Sequence, residues 1–280
     1  MGPPAEAAPS SLERIALRHR RSHDAARAAP TPASRKGRSV TNIVLLNNVD
    51  HGDLKVATGH GPAFGDAVNQ TLVFPTEWEE AQREYPILFR RGEDGRFQSV
   101  VLLGLDRDEN LFLEDGVWDG RYVPALHQRG PFSIGLQASE DGAEAEPMIH
   151  VDLDHPRIGG DAAQAVFLPH GGNTPYLEAI SGVLRRIHAG VMIADAMFEA
   201  FEAHGLIQPI ALEVTLSETR RYTLDGFHTI DAERMTALQG PALQSLHQRG
   251  FLQAAFWAMS SLANVARLID RKNRRSGPLP

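Results

Sequence analysis

The sequence predicts an α+β fold, with a mostly antiparallel sheet in the first half of the chain and helices of the second half packed on it. Short runs of β-branched and aromatic residues, separated by turns rich in glycine and aspartate, dominate residues 42–153. Apolar residues at helical spacing dominate residues 174–271. The apolar fraction of 42% is enough to bury a core, so we expect a folded protein.

The clearest strand signal is a hairpin. Residues 86–89 and 97–103 are β-rich runs, and the sequence Gly-Glu-Asp-Gly at 92–95 is typical of the turn between two such strands. A second hairpin is predicted from residues 209–216 and 220–224. Three further short runs are predicted strands: residues 111–113, 131–136 and 148–153.

Helix starts and stops follow from capping residues. Thr76 is predicted to cap a short helix, with Glu79 completing the capping box and Pro86 ending the helix. The pair Thr174–Pro175 starts a long helix that runs to Gly205.

The end of the chain is predicted to be helical. Asp231 caps a short helix, Pro241 opens the next, and the last helix covers residues 251–271. We expect an apolar stripe on this last helix to pack in the core: Leu252, Phe256, Met259, Leu262 and Ile269.

A single domain is predicted for residues 40–272, because no linker rich in proline or glycine interrupts it. Residues 1–39 have few large apolar side chains and are predicted to be a disordered leader: a tail, a targeting peptide, or the product of a start codon placed too early. Residues 273–280 are predicted to be a flexible tail. We interpret the basic clusters at 18–21 and 267–275 as solvated ends.

Composition excludes several classes of function. The formal charge of -7 and the lack of a basic stripe argue against a nucleic-acid partner. The chain has no cysteine, so disulfides and thiolate chemistry are excluded. No stretch of about 20 apolar residues is present, so insertion into a membrane is not expected. No secretory signal is recognisable, and we expect a cytoplasmic protein, with the cell surface as the alternative.

Residues 113–124 form the most distinctive segment, called here the aromatic segment. Its glycines and aspartates bend the backbone, while Trp118 and Tyr122 supply amphipathic rings beside Arg121, a combination typical of recognition sites. For the two rings themselves a structural role is favoured, in which they close the edge of a sheet and bond through their polar tips. The candidate ligand-binding residues are Trp118, Tyr122, Arg121, Asp119 and Tyr85.

One pattern resembles part of a metal site. His150 and Asp152 alternate on a predicted strand and would share a face, as in the facial triad that holds Fe(II) in oxygenases. The hypothesis needs a third ligand from the downstream histidines: His170, His188, His204 or His228. Short patterns of this kind are common without a metal, so we expect no cofactor and keep Fe(II) as the alternative.

Several blocks, taken in order, resemble the SapC family of bacterial proteins across roughly residues 42–268. They are Val49–Val56, Tyr85–Pro86–Ile87, Gly104, Asn110–Leu111–Phe112, Trp118–Pro124, Pro131–Phe132, Gly226–Phe227 and Arg249–Leu252. The family takes its name from a surface-layer-associated protein and is distinct from the peptide-transporter permease of the same name, which would need spanning helices. Similar proteins are encoded near nutrient receptors, halogenase-like proteins and cupin-like oxygenases.

The resemblance implies an accessory role in uptake, at the surface, or in peptide and protein modification. We therefore expect a non-catalytic recognition protein that binds a peptide or protein through the aromatic segment. Two other hypotheses stay open: an oxygenase dependent on Fe(II) and oxoglutarate, built around His150 and Asp152, and a structural component of a surface layer.

Overall fold

The computed structural model describes residues 42–137, 146–160, 163–216 and 220–276, together with the backbone of residues 15–19. Within these ranges the strands are β1 Ile15–His19, β2 Ile43–Leu45, β3 Lys55–Ala57, β4 Gln70–Leu72, β5 Ile87–Arg91, β6 Phe97–Leu102, β7 Leu113–Glu114, β8 Val117–Trp118, β9 Phe132–Gln137, β10 Glu146–Asp152, β11 Ala163–Ala165, β12 Ile207–Thr215 and β13 Arg221–Ile230. The helices are α1 Trp78–Ala81, α2 Ala125–Gln128, α3 Pro175–Ala203, α4 Ala232–Thr236, α5 Gly240–Gln248, α6 Phe251–Ser261 and α7 Asn264–Ser276.

The predicted α+β class is confirmed. The main sheet is antiparallel, with the strand order β1-β12-β13-β5-β6-β4, and a smaller antiparallel sheet has the order β2-β10-β9. Both predicted hairpins form, as β5–β6 and β12–β13. Gly95 has a φ of 80°, which suits glycine at the turn between β5 and β6. Of the predicted strand 111–113, only Leu113 is in a strand, because Leu111 and Phe112 lie in a buried turn.

Two helices end or begin differently from the prediction. The helix predicted after Thr76 is a 3-10 turn, Pro75–Glu77, followed by the single-turn α1. Glu77, rather than Glu79, folds back to accept a hydrogen bond from the backbone N–H of Phe74 at 2.7 Å. The Thr76 hydroxyl does not cap this helix, because it donates to the carbonyl of Arg186 on α3 at 2.8 Å. Thr174 and Asp231 do cap α3 and α4 as predicted.

The predicted last helix is in fact two helices, because the chain tightens into i→i−3 hydrogen bonds around Leu262 and then restarts. Ser261 and Asn264 flank this break and bond to the strand side of the fold, Ser261 with the N–H of Ile87 and Asn264 with the carbonyl of Tyr85. The predicted apolar stripe is wrong at Phe256, which is 53% exposed. Ile269 is buried as predicted, and Leu252, Met259 and Leu262 pack against the large core while partly buried. The buried positions also include Ala254, Ala255, Ala258, Val265 and Leu268.

The basic cluster at 267–275 is not a solvated end. Its helix, α7, continues through residues 273–276, and its side chains hold neighbouring backbone and carboxylates. Lys272 donates to Asp106 at 2.6 Å and to Glu109 at 2.5 Å, and Arg275 donates to the carbonyl of Asn110 at 3.0 Å. Of the predicted leader, residues 15–19 pair with β12 as a strand. The rest of that leader and residues 277–280 lie outside the described residues.

Helix α3 connects two clusters of buried side chains. At its N-terminal half, Leu177 and Leu184 pack in a small core with the second sheet. At its C-terminal half, Met197, Phe198 and Phe201 pack in the large core with the main sheet. A helix of 29 residues is about 43 Å long, so α3 spans both cores. In the described ranges, no helix is long and apolar enough to cross a membrane.

Candidate functional site

The aromatic segment begins with a minimal hairpin. Strands β7 and β8 pair antiparallel, Leu113 opposite Trp118 and Glu114 opposite Val117. The two residues between them, Asp115 and Gly116, have φ values of 47° and 81°. Two successive positive φ values are the requirement of a tight hairpin turn whose twist matches its strands, and an Asp-Gly pair meets it.

The rings of the aromatic segment are buried. Trp118 is 5% exposed and Tyr122 is 8% exposed, and Tyr85 packs fully inside with them. The indole Nε1–H of Trp118 donates to the Tyr85 hydroxyl at 2.8 Å, and that hydroxyl donates to the carbonyl of Tyr122. Burial raises the pKa of Tyr85, although the hydrogen bond from Trp118 opposes this. These rings are therefore core residues bonded through their polar tips, and none presents its face to solvent.

A buried carboxyl group holds the far end of the segment. Glu77 accepts hydrogen bonds from the hydroxyl of Tyr122 at 2.6 Å and from the backbone N–H of Ala125 at 2.9 Å. Burial raises the pKa of Glu77 above its ordinary value, against the lowering effect of these donors. Through Glu77, the aromatic segment is thus hydrogen-bonded to the start of α1, and the same carboxyl group also bonds the start of α2.

With its rings inside, the segment exposes its other side chains along a shallow groove, called here the segment groove. This groove has a volume of about 610 Å³, and Glu84 and Arg271 complete its walls. The backbone N–H of Arg121 donates to Glu84 at 2.9 Å, and Arg271 donates to Asp119 at 2.6 Å. The segment residues that line it are Glu114, Asp115, Val117, Trp118, Asp119, Gly120 and Arg121.

Behind Trp118 lies a second feature, a buried cluster around Asp66. The carboxylate of Asp66 accepts from His127 Nδ1 at 2.8 Å, from Arg157 Nη2 at 2.9 Å and from the backbone N–H of Gly61 at 3.0 Å. Burial on its own would raise the pKa of Asp66, but the hydrogen bonds from His127 and Gly61, together with the nearby imidazole of His60, outweigh it and lower this pKa below its ordinary range. Asp66 is therefore an anion that orients an imidazole and a guanidinium.

Trp118 joins the two features. Its ring contacts the imidazoles of His60 and His127, with centroid distances of 5.5 Å and 5.1 Å. The indole thus lines the segment groove and also contacts two histidines of the Asp66 cluster. The Asp66 cluster also borders a cavity, which is lined in part by Asp66, His127 and Arg157.

The predicted metal ligands are not brought to a common centre. His150 and Asp152 lie on β10, where the ring of His150 packs over Gly135 and Asp152 accepts from the N–H of Asp154 at 3.1 Å. Across the described part of the chain, no group of three or more histidines, cysteines or carboxylates is placed to hold a metal ion.

Sequence reasoning missed the Asp66 cluster. His127 and Arg157 lie 61 and 91 residues from Asp66 along the chain, and no spacing motif connects them. The available signal was indirect: Asp66 follows Gly65, a residue with a φ of 80°, in a turn that the sequence marks only as a loop. The prediction of the aromatic segment found the neighbouring groove instead.

Comparison with known proteins bears on the family alone. No curated protein and no solved structure matches the chain significantly. The family model described as SapC matches residues 46–268, which is most of the chain. The chain therefore belongs to the SapC family.

Proposed function

We propose that this protein is a non-catalytic recognition protein, accessory to a bacterial uptake, surface or modification system, that binds a peptide or protein segment in the segment groove. The observation that carries the proposal is that the buried rings fix residues 113–122 so that their remaining side chains line a preformed groove. A preformed site binds with a smaller loss of conformational entropy than a mobile loop. The buried rings stabilise the conformation of the segment, and the exposed residues beside them contact the partner.

The charges of the groove indicate the kind of partner. Glu114 and Asp115 are exposed and form no ion pair among the described residues, and the guanidinium of Arg121 is likewise exposed. Val117, 63% exposed, provides an apolar contact between them. A segment that places a lysine or arginine near the two carboxylates and a carboxylate near Arg121 would complement this pattern. Complementary charges of this kind contribute mainly to specificity and association rate.

The proposal is tested by selecting peptides from a random display library on the immobilised full chain. Val117→Asp and Arg121→Glu are expected to abolish binding of the selected peptides without loss of folding, because both side chains are exposed. Val49→Asp, at an exposed valine outside the groove, is the matched control and is expected to bind as the parent does. Failure to enrich any peptide, or equal binding by all three variants, would contradict the proposal.

The other hypotheses have less support. No feature of the described residues specifically favours the Fe(II) oxygenase around His150 and Asp152, or the surface-layer component, and both stay predictions. The same holds for the cytoplasmic location and its alternative, the cell surface. The proposed recognition function requires no cofactor, no nucleic acid and no insertion into a membrane.

A further inference from the structure

The cavity beside Asp66 is lined by residues from several elements of the fold. It has a volume of about 530 Å³, within the range of small-molecule sites. Strands β4, β5 and β6 form one wall, α2 and the turn after it form a second, and the turn after β10 forms a third. Because these walls come from parts of the chain far apart in sequence, the cavity is held by the tertiary fold rather than by one loop.

The cavity lining carries an excess of positive charge. Three arginines line it, Arg90, Arg129 and Arg157, and Asp66 is the one carboxylate in the lining. Asp66 is already paired with Arg157, so Arg90 and Arg129 have no carboxylate opposite them in this cavity. His127 and His155 add two imidazoles. Cations held in a partly buried site without a counter-ion are unfavourable unless an anion binds there.

Arg90 is the clearest case. It lies on β5 and is half-buried, and its side chain makes no hydrogen bond or ion pair with any other residue that the structure describes. Its Nε atom is buried without a partner. Arg129, by contrast, donates to the carbonyl of Phe132 at 2.6 Å, and burial lowers its pKa. An arginine that supports the fold would hold a partner of this kind, so the free guanidinium of Arg90 points to a ligand.

Two further cavity residues carry buried polar atoms without partners, the amide oxygen of Gln70 and Nε2 of His127. Buried polar atoms in folded proteins are almost always hydrogen-bonded. The side chain of His127 is nine-tenths buried, and its Nδ1 faces the carboxylate of Asp66. The Gln70 oxygen is an acceptor, and Nε2 of His127 is a ring nitrogen without a partner. The cavity therefore offers guanidinium donors, an amide acceptor and an imidazole nitrogen.

We propose that this cavity binds a small anionic molecule whose carboxylate or phosphate group is held by Arg90 and Arg129, and which also carries a hydroxyl or amine to bond Gln70 and His127. Arginine is suited to this role because its planar guanidinium makes paired hydrogen bonds to carboxylates and phosphates. Asp66 acts as a positioning residue that holds His127 and Arg157. The site is separate from the segment groove and extends the recognition function to a second, small ligand.

The test is calorimetric titration of the full chain with inorganic phosphate and, separately, with malonate, at constant ionic strength set by chloride. Saturable binding of phosphate alone would identify a phosphate ligand. Saturable binding of malonate alone would identify a carboxylate ligand. Arg90→Gln is expected to weaken binding at least about tenfold, because it removes charge-assisted hydrogen bonds. Arg107→Gln, at an exposed arginine outside the cavity, is the matched control and is expected to bind normally.

A second readout separates ligand binding from structural support. In buffer without either anion, Arg90→Gln is expected to melt at a higher temperature than the parent, because it removes an unpaired, partly buried charge. Its melting temperature should then rise less than that of the parent when the anion is added. Absence of saturable binding by both anions, or equal binding by Arg90→Gln and Arg107→Gln, would overturn the proposal and leave a cavity filled by water. Val117→Asp, which changes the segment groove, should still bind the anion. Failure of the proposed peptide binding can therefore be distinguished from failure of the proposed anion binding.

Discussion

Trp118 lies where two environments meet, because it lines the segment groove and its ring contacts His60 and His127. Its Nε1–H is used by the Tyr85 hydroxyl, and its ring is almost entirely inside. Because the ring of Trp118 is packed inside the protein, little of its surface is left to contact a partner. The proposed recognition function therefore assigns contact with the partner to exposed residues, such as Val117 and Arg121, rather than to the indole.

Trp118→Ala is accordingly expected to destabilise the fold. Truncating a buried tryptophan leaves a cavity and removes the donor to the Tyr85 hydroxyl, a loss of about 3–5 kcal/mol in the free energy of unfolding. Val117→Ala, one residue away but exposed, is expected to change this free energy by no more than about 0.5 kcal/mol. Urea denaturation measures both. If Trp118→Ala kept its stability but no longer bound peptide, the indole would be shown to contact the peptide rather than to support the fold.

Glu77 makes stability depend on pH. Burial raises its folded-state pKa above the ordinary value of 4.5, so the folded chain keeps this proton to higher pH than the unfolded chain does. The stabilising contribution is complete below about pH 4.5 and is lost as the pH rises through the folded-state pKa. The free energy of unfolding of the parent should therefore fall relative to that of Glu77→Gln as the pH rises.

Urea denaturation from pH 4 upward measures this difference. In Tyr122→Phe the carboxylate of Glu77 loses a donor, so the fall should continue to higher pH than in the parent. A difference between parent and Glu77→Gln that did not change with pH would show that Glu77 has the same pKa folded and unfolded.

At the scale of elements, helix α3 determines how the 3-10 turn that carries Glu77 is placed. The two elements meet at Gly190, where a Cβ atom would lie 2.5 Å from the Cβ of Phe74 and 2.7 Å from the hydroxyl of Thr76. The Thr76 hydroxyl bonds to α3 at the same crossing. Absence of a side chain at position 190 is therefore what allows the helix to approach this turn.

Two glycines on the same helix provide a matched pair. Gly190→Ala is expected to lower the free energy of unfolding by about 1–3 kcal/mol, because the added methyl group overlaps neighbouring atoms. Gly182→Ala, where nothing lies within 4 Å of the added atom, is expected to raise it by about 0.5–1 kcal/mol through reduced backbone entropy of the unfolded chain. Urea denaturation of both variants compares them. Equal effects would mean that α3 is not in close contact with the turn.

The same scale shows which elements local reasoning can predict. The β5–β6 hairpin, α3 and the β12–β13 hairpin were predicted correctly, because turn residues, caps and apolar spacing lie within the segments themselves. The Thr76 cap and the uninterrupted last helix were wrong. In both places a polar side chain that could serve its own helix bonds instead to a distant segment, as Thr76 does to α3 and Asn264 to the carbonyl of Tyr85.

At the scale of the whole molecule, one buried network connects the two candidate sites, because Trp118 lines the segment groove while His127 and Asp66 line the cavity. That network runs from Glu77 through Tyr122, Tyr85 and Trp118 to the histidines around Asp66. The segment groove and the cavity beside Asp66 have no lining residue in common. Such an arrangement suits a recognition protein with two ligands of different size.

The sequence by itself determined the fold class, the main hairpins, the long helix, the family resemblance and the segment that lines the groove. All of these depend on residues close together in the chain, where turn preference, capping and periodicity act. Only the tertiary structure decided that Trp118 and Tyr122 are buried and that Asp66, His127 and Arg157 meet. The physical reason is that burial and ion pairing depend on partners 33 to 91 residues away, whose approach is set by the packing of the sheets and α3.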